Sequence, residues 1–233
     1  MPCTLPASLA DAAVCRGSFH AVLGGEAGEA VFADFSAALQ KAQAEGRILT
    51  ASLFRYENHL FFYAEGLNRP FTPQGLCPAL DAALLPWPPA LGETAPRPWA
   101  AMQPYFYHDV PTTAADWQQG RCPQRRRGRI ALLPPDSWCS YMEHHLRIVT
   151  EGLVEGDRWH LICVQEGVLF SYLEEPRTNV NIKHQPGAHS PELDAWIAAD
   201  PESHFARFTP EQKAHPDSSH NFVFLPRIAG TED

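Results

Sequence analysis

An α+β fold built from two successive β-α-β-β-α-β copies is predicted by three features of this sequence. Two segments with the same internal order, ENHLFFYAEG from Glu57 and EGVLFSYLEE from Glu166, align so that Leu60, Phe61, Tyr63 and Glu65 fall on Leu169, Phe170, Tyr172 and Glu174. Each segment has matching company upstream and downstream, and self-similarity of this kind marks a repeat. The chain has 233 residues, 45% of them hydrophobic and 11% aromatic, which is enough to bury a sizeable core.

The first copy opens on the apolar run FHAVL (19–23), a short run of strand type. A helix is expected from about Glu26 to Glu45, because Val31, Phe32, Phe35, Leu39 and Ala42 recur at helical spacing. Glu45-Gly46 ends it, and ILTASLFRY and the first hairpin segment follow as two strands. A short helical piece around Leu76–Leu85 leads through a Pro-rich passage to the aromatic strand PYFYHDV (104–110). The second copy repeats this order. RIALL (129–133) is its first strand, and a helix runs from about Asp136 to Glu155. Trp138, Tyr141, Met142, His145, Val149 and Gly152/Leu153 make its apolar stripe, and Asp136 or Ser137 is placed to cap it. RWHLICVQ and the second hairpin segment supply two strands, Pro191–Ala199 a helix, and HNFVFLPRI (220–228) the closing strand.

The arrangement is the ferredoxin-like one, present twice in tandem. The divisions are a tail (1–16), a degenerate first repeat (17–110), a linker (111–128) and a second repeat (129–233). A four-stranded sheet with helices on one face leaves its other face open, so two such sheets are expected to pair as an intramolecular α/β barrel of the dimeric α+β barrel type. A monomer that is its own pseudo-dimer, or a homodimer, follows.

A formal net charge of -9 argues against nucleic-acid or anionic-membrane partners, which require clustered cations. The one basic run, Arg125–Arg127 with Arg129, reads as part of a solvated connector. Six cysteines without a C-x-x-C pair make neither a disulfide scaffold nor a zinc site. With no apolar run of membrane-spanning length and no signal-peptide pattern at the start, a cytoplasmic protein is expected. LGGEAGEA (23–30) departs from both phosphate-loop patterns and carries Glu26 and Glu29, so it reads as a turn. His144, His145, His184, His189, His215 and His220 lack a chelating spacing, and no metal is assigned.

The chemistry-bearing candidate is SYMEHHLRIVTEGL (140–153). Tyr141 and His145, four apart, share a helical face that must be buried. Histidine moves a proton near neutral pH, and a phenol beside it donates or accepts a hydrogen bond. Aligned through the Glu-Gly dipeptides, the first copy has Val31 and Phe35 at these positions, so the fold itself does not call for polar groups there.

Tyr141-x-x-x-His145, the hairpin GVLFSYLEEP (167–176), a helix carrying Trp196 and the strand NFVFLP resemble the L-rhamnose mutarotase family over about 100 residues, Arg129 to Arg227. The resemblance implies a ferredoxin-like barrel that interconverts the anomers of L-rhamnose or a related monosaccharide without a cofactor. It implies Tyr141 and His145 as catalytic residues. The family's pair of tryptophans is replaced here by SHFARFTP (203–210), which leaves Trp196, His204, Phe205 and Phe208 as the substrate-binding candidates. Two other functions suit the same architecture: a non-catalytic small-ligand-binding barrel, and another barrel enzyme, either a cofactor-free monooxygenase or a haem-dependent one.

Overall fold

The computed structural model of the chain describes residues 6–151, 154–176, 183–184, 189–213 and 215–231. In chain order the elements are β1 (Val14–Leu23), α1 (Glu29–Ala44), β2 (Ile48–Tyr56), β3 (His59–Leu67), α2 (Pro78–Ala82), β4 (Leu84–Leu85), β5 (Ala100–Ala101), β6 (Gln103–Phe106), α3 (Ala114–Gln118), β7 (Arg125–Leu132), α4 (Pro135–Glu151), β8 (Val154–Glu155), β9 (Leu161–Gln165), β10 (Val168–Glu175), β11 (Lys183–His184), α5 (Pro191–Ala198), β12 (Val223–Leu225) and β13 (Arg227–Gly230). Contacts divide the chain into two compact units. The first holds Met1–Met102, Pro111–Pro123 and Pro226–Asp233, and the second holds Gln103–Val110 and Gln124–Leu225.

In the first unit the antiparallel sheet runs β13-β2-β3-β1-β4, with β5 also on β1. Glu57 and Asn58 form a two-residue hairpin loop between Tyr56 and His59, and Glu57 adopts the positive φ that such tight turns require. Along β3 alternate residues face opposite ways. Leu60, Phe62 and Ala64 join Phe32, Phe35, Leu39 and Ala42 of α1 in one apolar core. Phe61, Tyr63 and Glu65 are buried on the other face. There Tyr63 donates to Glu65 at 2.6 Å, and Arg121 binds both carboxylate oxygens of Glu65, at 2.7 and 3.0 Å. Arg16 lies over the Trp117 ring at 5.1 Å, so the segment around α3 is fastened to this face by charge and by stacking.

In the second unit the sheet order is β12-β7-β10-β9-β6, and β8 pairs with β11 in a separate ribbon. The hairpin loop here is Glu166-Gly167, both at positive φ, as a type I′ turn demands. Tyr172 donates to Glu174 at 2.6 Å, the same local bond that Tyr63 makes to Glu65. Within each unit the order of the main strands is that of a β-α-β-β-α-β sheet.

The segment that closes each expected repeat divides its pairing. Ala100–Ala101 lies on β1, but Gln103–Phe106 lies on β9; Val223–Leu225 lies on β7, but Arg227–Gly230 lies on β2. The residue between the last two, Pro226, has no N–H with which to continue a ladder. The aromatic strand expected at 104–110 is thus a strand of the second sheet, and the last residues of the closing strand belong to the first.

Several expectations are corrected. The segment 1–16 is not all tail, since β1 begins at Val14 and a short 3-10 turn spans Ala7–Leu9. The basic run is not a solvated connector: it begins β7, where Arg126 and Arg127 are buried and paired with Glu174 at 3.5 Å and Glu175 at 3.0 Å. Two acidic residues at the end of β10 neutralise what the composition left looking exposed. Trp138 is 41 % exposed, because the first turn of α4 buries no side chain and the buried stripe is Tyr141, His145 and Ile148. Asp136 and Ser137 lie inside the helix and not at its cap, where the Ser137 N–H bonds the Pro134 carbonyl at 3.1 Å. Gly152 and Leu153 lie outside the described residues, as does Cys3; none of the five described cysteines forms a disulfide.

Candidate functional site

The site is assembled in the second unit on the buried stripe of α4. Tyr141 and His145 are each 4 % exposed, with ring centroids 4.2 Å apart. His145 Nδ1 lies 2.9 Å from the Tyr141 carbonyl oxygen, which can only accept. The hydrogen of the neutral imidazole is therefore on Nδ1, and Nε2 carries the free lone pair.

Three elements close around the pair. Ser190 caps α5 by accepting from the Leu193 N–H at 3.0 Å and donates to Glu151 at the end of α4, which ties the two helices together. Trp196 of α5 is thereby held edge-on to Tyr141 at 5.3 Å and to His145 at 4.7 Å. The segment after α5 is pinned by the Ala206 N–H to the Leu132 carbonyl at 2.9 Å, and Asn221 donates to the Glu202 carboxylate. It presents Phe205 to Tyr141 at 5.1 Å and His204 at 6.0 Å. From β6, Tyr105 and Phe106 meet His145 at 5.6 and 4.8 Å.

Burial governs the titration of both central groups. It pushes the Tyr141 phenol up to about 12, against the opposing influence of Tyr105 and Arg129. It pulls His145 down to about 4, outweighing the Tyr141 carbonyl bond, and the nearby His144, His204 and His108 act in the same direction as burial. At neutral pH the site therefore holds an uncharged donor, Tyr141 O–H, beside an uncharged acceptor, His145 Nε2.

Of the residues expected from the sequence, Tyr141, His145, Trp196, His204 and Phe205 come together. Phe208 is buried but is not part of the cluster that holds Tyr141; its N–H bonds the His220 carbonyl at 2.7 Å. His144 packs on Trp196 at 5.4 Å. Tyr105, Phe106 and His108 join the site from the segment PYFYHDV, whose aromatic content is its only signal in the sequence. His108 has its place because Gly156 lies against its ring, where any side chain would overlap it.

His144 Nδ1 and His204 Nδ1 are buried and have no hydrogen-bond partner among the described residues. A hydrogen bond from the Tyr105 phenol to that of Tyr141 helps raise the titration of Tyr105 and opposes the rise of Tyr141. Among the described residues no group of three or more His, Cys, Asp or Glu side chains is placed to hold a metal, and no helix is long and apolar enough to cross a membrane.

No protein-family model and no curated protein matches the chain. Solved structures similar to this chain include a proposed monooxygenase from Lactobacillus acidophilus, 7% identical with a TM-score of 0.40, covering 94% of this chain and 96% of that one. A second proposed monooxygenase, from Fusobacterium nucleatum, is 8% identical with a TM-score of 0.42 and 94% coverage of both chains. An anthrone oxidase-like protein is 8% identical with a TM-score of 0.38 and 92% coverage of both.

Proposed function

We propose that the second unit houses an acid-base site for a small, neutral, ring-shaped ligand, with anomer exchange of a monosaccharide such as L-rhamnose as its reaction. The observation that carries this reading is the tautomer lock: the Tyr141 carbonyl holds the Nδ1 hydrogen of His145, leaving Nε2 as acceptor next to the Tyr141 hydroxyl. Mutarotation needs one proton removed from the anomeric O–H and one delivered to the ring oxygen. A paired neutral acceptor and neutral donor does both without building a charge, which suits a site where burial opposes ionisation. His145 takes the principal proton, and Tyr141 donates. Trp196, Phe205 and Phe106 supply apolar walls for the faces of a ring. General acid-base catalysis of this kind contributes roughly 10² to 10⁴-fold.

The matched element order, the two-residue hairpins and the repeated Tyr-Glu bond support a tandem duplication in which one copy kept the polar pair. One such site per chain follows.

The test is saturation-transfer NMR between the anomers of L-rhamnose. The protein is expected to accelerate exchange, and His145→Ala to lose at least 10²-fold of that acceleration. An unaccelerated reaction, or full acceleration by His145→Ala, sinks the reading.

A second reading is favoured by the walls themselves, since rings from Tyr105, Phe106, Trp196 and Phe205 surround the pair. They suit a flat polycyclic phenol from which His145 Nε2 removes a proton before dioxygen reacts, as in a cofactor-free monooxygenase. Oxygen uptake with such a phenol, without acceleration of L-rhamnose anomer exchange, selects it.

A further inference from the structure

The two flanks of α4 are unlike each other. One is closed by α5, through Ser190 on Glu151, Trp196 on His144, and Glu192 on Arg147 at 3.7 Å. The other carries Trp138, Cys139, Met142, Leu146 and Val149, which a turn of about 100° per residue gathers into one apolar stripe with no charge in it. Trp138 is 41 % exposed and Leu146 61 %, and Cys139 is exposed beside them. Met142 and Val149 are half-buried at the edge of the core. Single exposed apolar side chains are ordinary, but a run of them along one helix marks an interaction surface. The first unit fills the same flank differently. From Phe35 to Ala44 and from Tyr141 to Thr150 burial follows one pattern, so Met142, Leu146 and Val149 correspond to Ser36, Gln40 and Gln43 of α1. There Ser36 accepts from the Gly230 N–H at 3.3 Å, and Gln43 donates to the Leu49 carbonyl at 2.8 Å. A helix buried in this way does not itself call for apolar side chains on that flank.

We propose that this flank of α4 is where a second copy of the chain docks, the two helices antiparallel about a two-fold axis beside Met142. Trp138, Met142 and Leu146, four apart, form one ridge, and helices pack through ridges of this kind. The axis sets Trp138 of each copy beside Leu146 of the other, so the exposed side chains cover one another, with Met142 at the centre. Charge selects the same axis. Asp136 and Arg147, both exposed, border the stripe near opposite ends of the helix, and their midpoint also falls beside Met142. Antiparallel pairing brings each Asp136 to the Arg147 of the other copy, whereas parallel pairing sets like charges side by side. Opposed helix dipoles favour the same sense. With a formal net charge of -9 on each, two copies repel over most of their surfaces, and the stripe is a place where they meet without burying a charge. One helix flank covers less than the roughly 800 Å² per partner of a stable interface, so the dimer is a weak one.

Analytical ultracentrifugation of the full chain, with its cysteines kept reduced, tests this between roughly 5 and 500 µM, the range in which a small interface associates. The weight-average mass is expected to climb from 25.9 kDa toward twice that value. Leu146→Glu should stay monomeric throughout and melt as the wild type does, because the side chain it replaces is exposed. Asp136→Lys should weaken association about fivefold, and adding Arg147→Glu should restore it, since the swap returns opposite charges to each end. A wild type that keeps its monomer mass at every concentration overturns the proposal and leaves the stripe to a different partner. Dimers that persist in Leu146→Glu put the interface elsewhere, and a double variant no better than Asp136→Lys rejects the antiparallel axis; either result overturns it.

Discussion

The buried faces of α1 and α4 occupy equivalent places in their units and are filled with opposite chemistry. From Phe35 to Ala44 and from Tyr141 to Thr150, the sequence of buried, half-buried and exposed positions is the same residue by residue. By burial, then, the counterparts of Tyr141 and His145 are Phe35 and Leu39, one turn along from the Val31 and Phe35 that the Glu-Gly alignment selects. Phe35 packs edge-on to Phe62 at 5.8 Å and stacks with Trp99 at 6.3 Å, in a core of hydrocarbon. In the second unit the place of Leu39 is taken by His145, a neutral, strongly shifted imidazole whose Nδ1–H is satisfied by the Tyr141 carbonyl of its own helix. The difference teaches that one burial pattern is filled with hydrocarbon in the first unit and with a polar pair in the second, so a helix buried in this way does not itself call for polar groups at these points.

Three experiments break or sharpen that comparison. The largest effect is expected from Glu65→Ala in the first unit. It strands Arg121 and the Tyr63 hydroxyl in a buried region, and removing one partner of such a pair typically costs about 3 to 5 kcal/mol in urea unfolding. Burial alone would raise the Glu65 carboxyl, but the Arg121 guanidinium and the bonds from Arg121 and Tyr63 hold it below the usual range, so the charge is present to be lost.

Acidification comes next, and it acts through the second unit. His145 titrates near 6.5 when unfolded and at about 4 when folded, so the unfolded chain takes up the proton first. Its contribution is fully present above pH 6.5 and is lost as pH falls from there through about 4, a loss of about 3 kcal/mol in all. Denaturant midpoints measured from pH 7 to pH 4 should fall in the wild type and flatten in His145→Leu. An unchanged slope in the variant would move the titration elsewhere.

The third experiment exchanges the chemistry directly. Leu39→His should cost about 2 kcal/mol or more, because it removes a fully buried aliphatic side chain. His145→Leu should be within about 1 kcal/mol of wild type or stabilising, since a shifted polar group gives way to hydrocarbon. Equal destabilisation by both changes would show that the second core depends on its histidine.

The two hairpins, the Tyr-Glu pairs and the central parts of both helices were legible because each rests on local spacing: alternation in β3 and β10, a seven-residue stripe in α1 and α4, two-residue turns between. The Tyr141-His145 pair was legible for the same reason, being four apart on one helix. Trp138 keeps the helical period yet is exposed, because periodicity continues past the point where the helix buries its face. The burial of Arg126 and Arg127 leaves no local signal, because their partners, Glu174 and Glu175, stand on another strand more than forty residues away.

By itself, then, the sequence determined the two β-α-β-β-α-β orders and the polar pair on α4, features set by interactions within a few residues. Only the tertiary structure decided which sheet takes each half of the closing strands, that the Tyr141 carbonyl and burial leave His145 a neutral acceptor at Nε2, and that β6 sets Tyr105 beside it. Those outcomes depend on register and on desolvation, both of which arise between segments distant in the chain and leave no periodic trace along it.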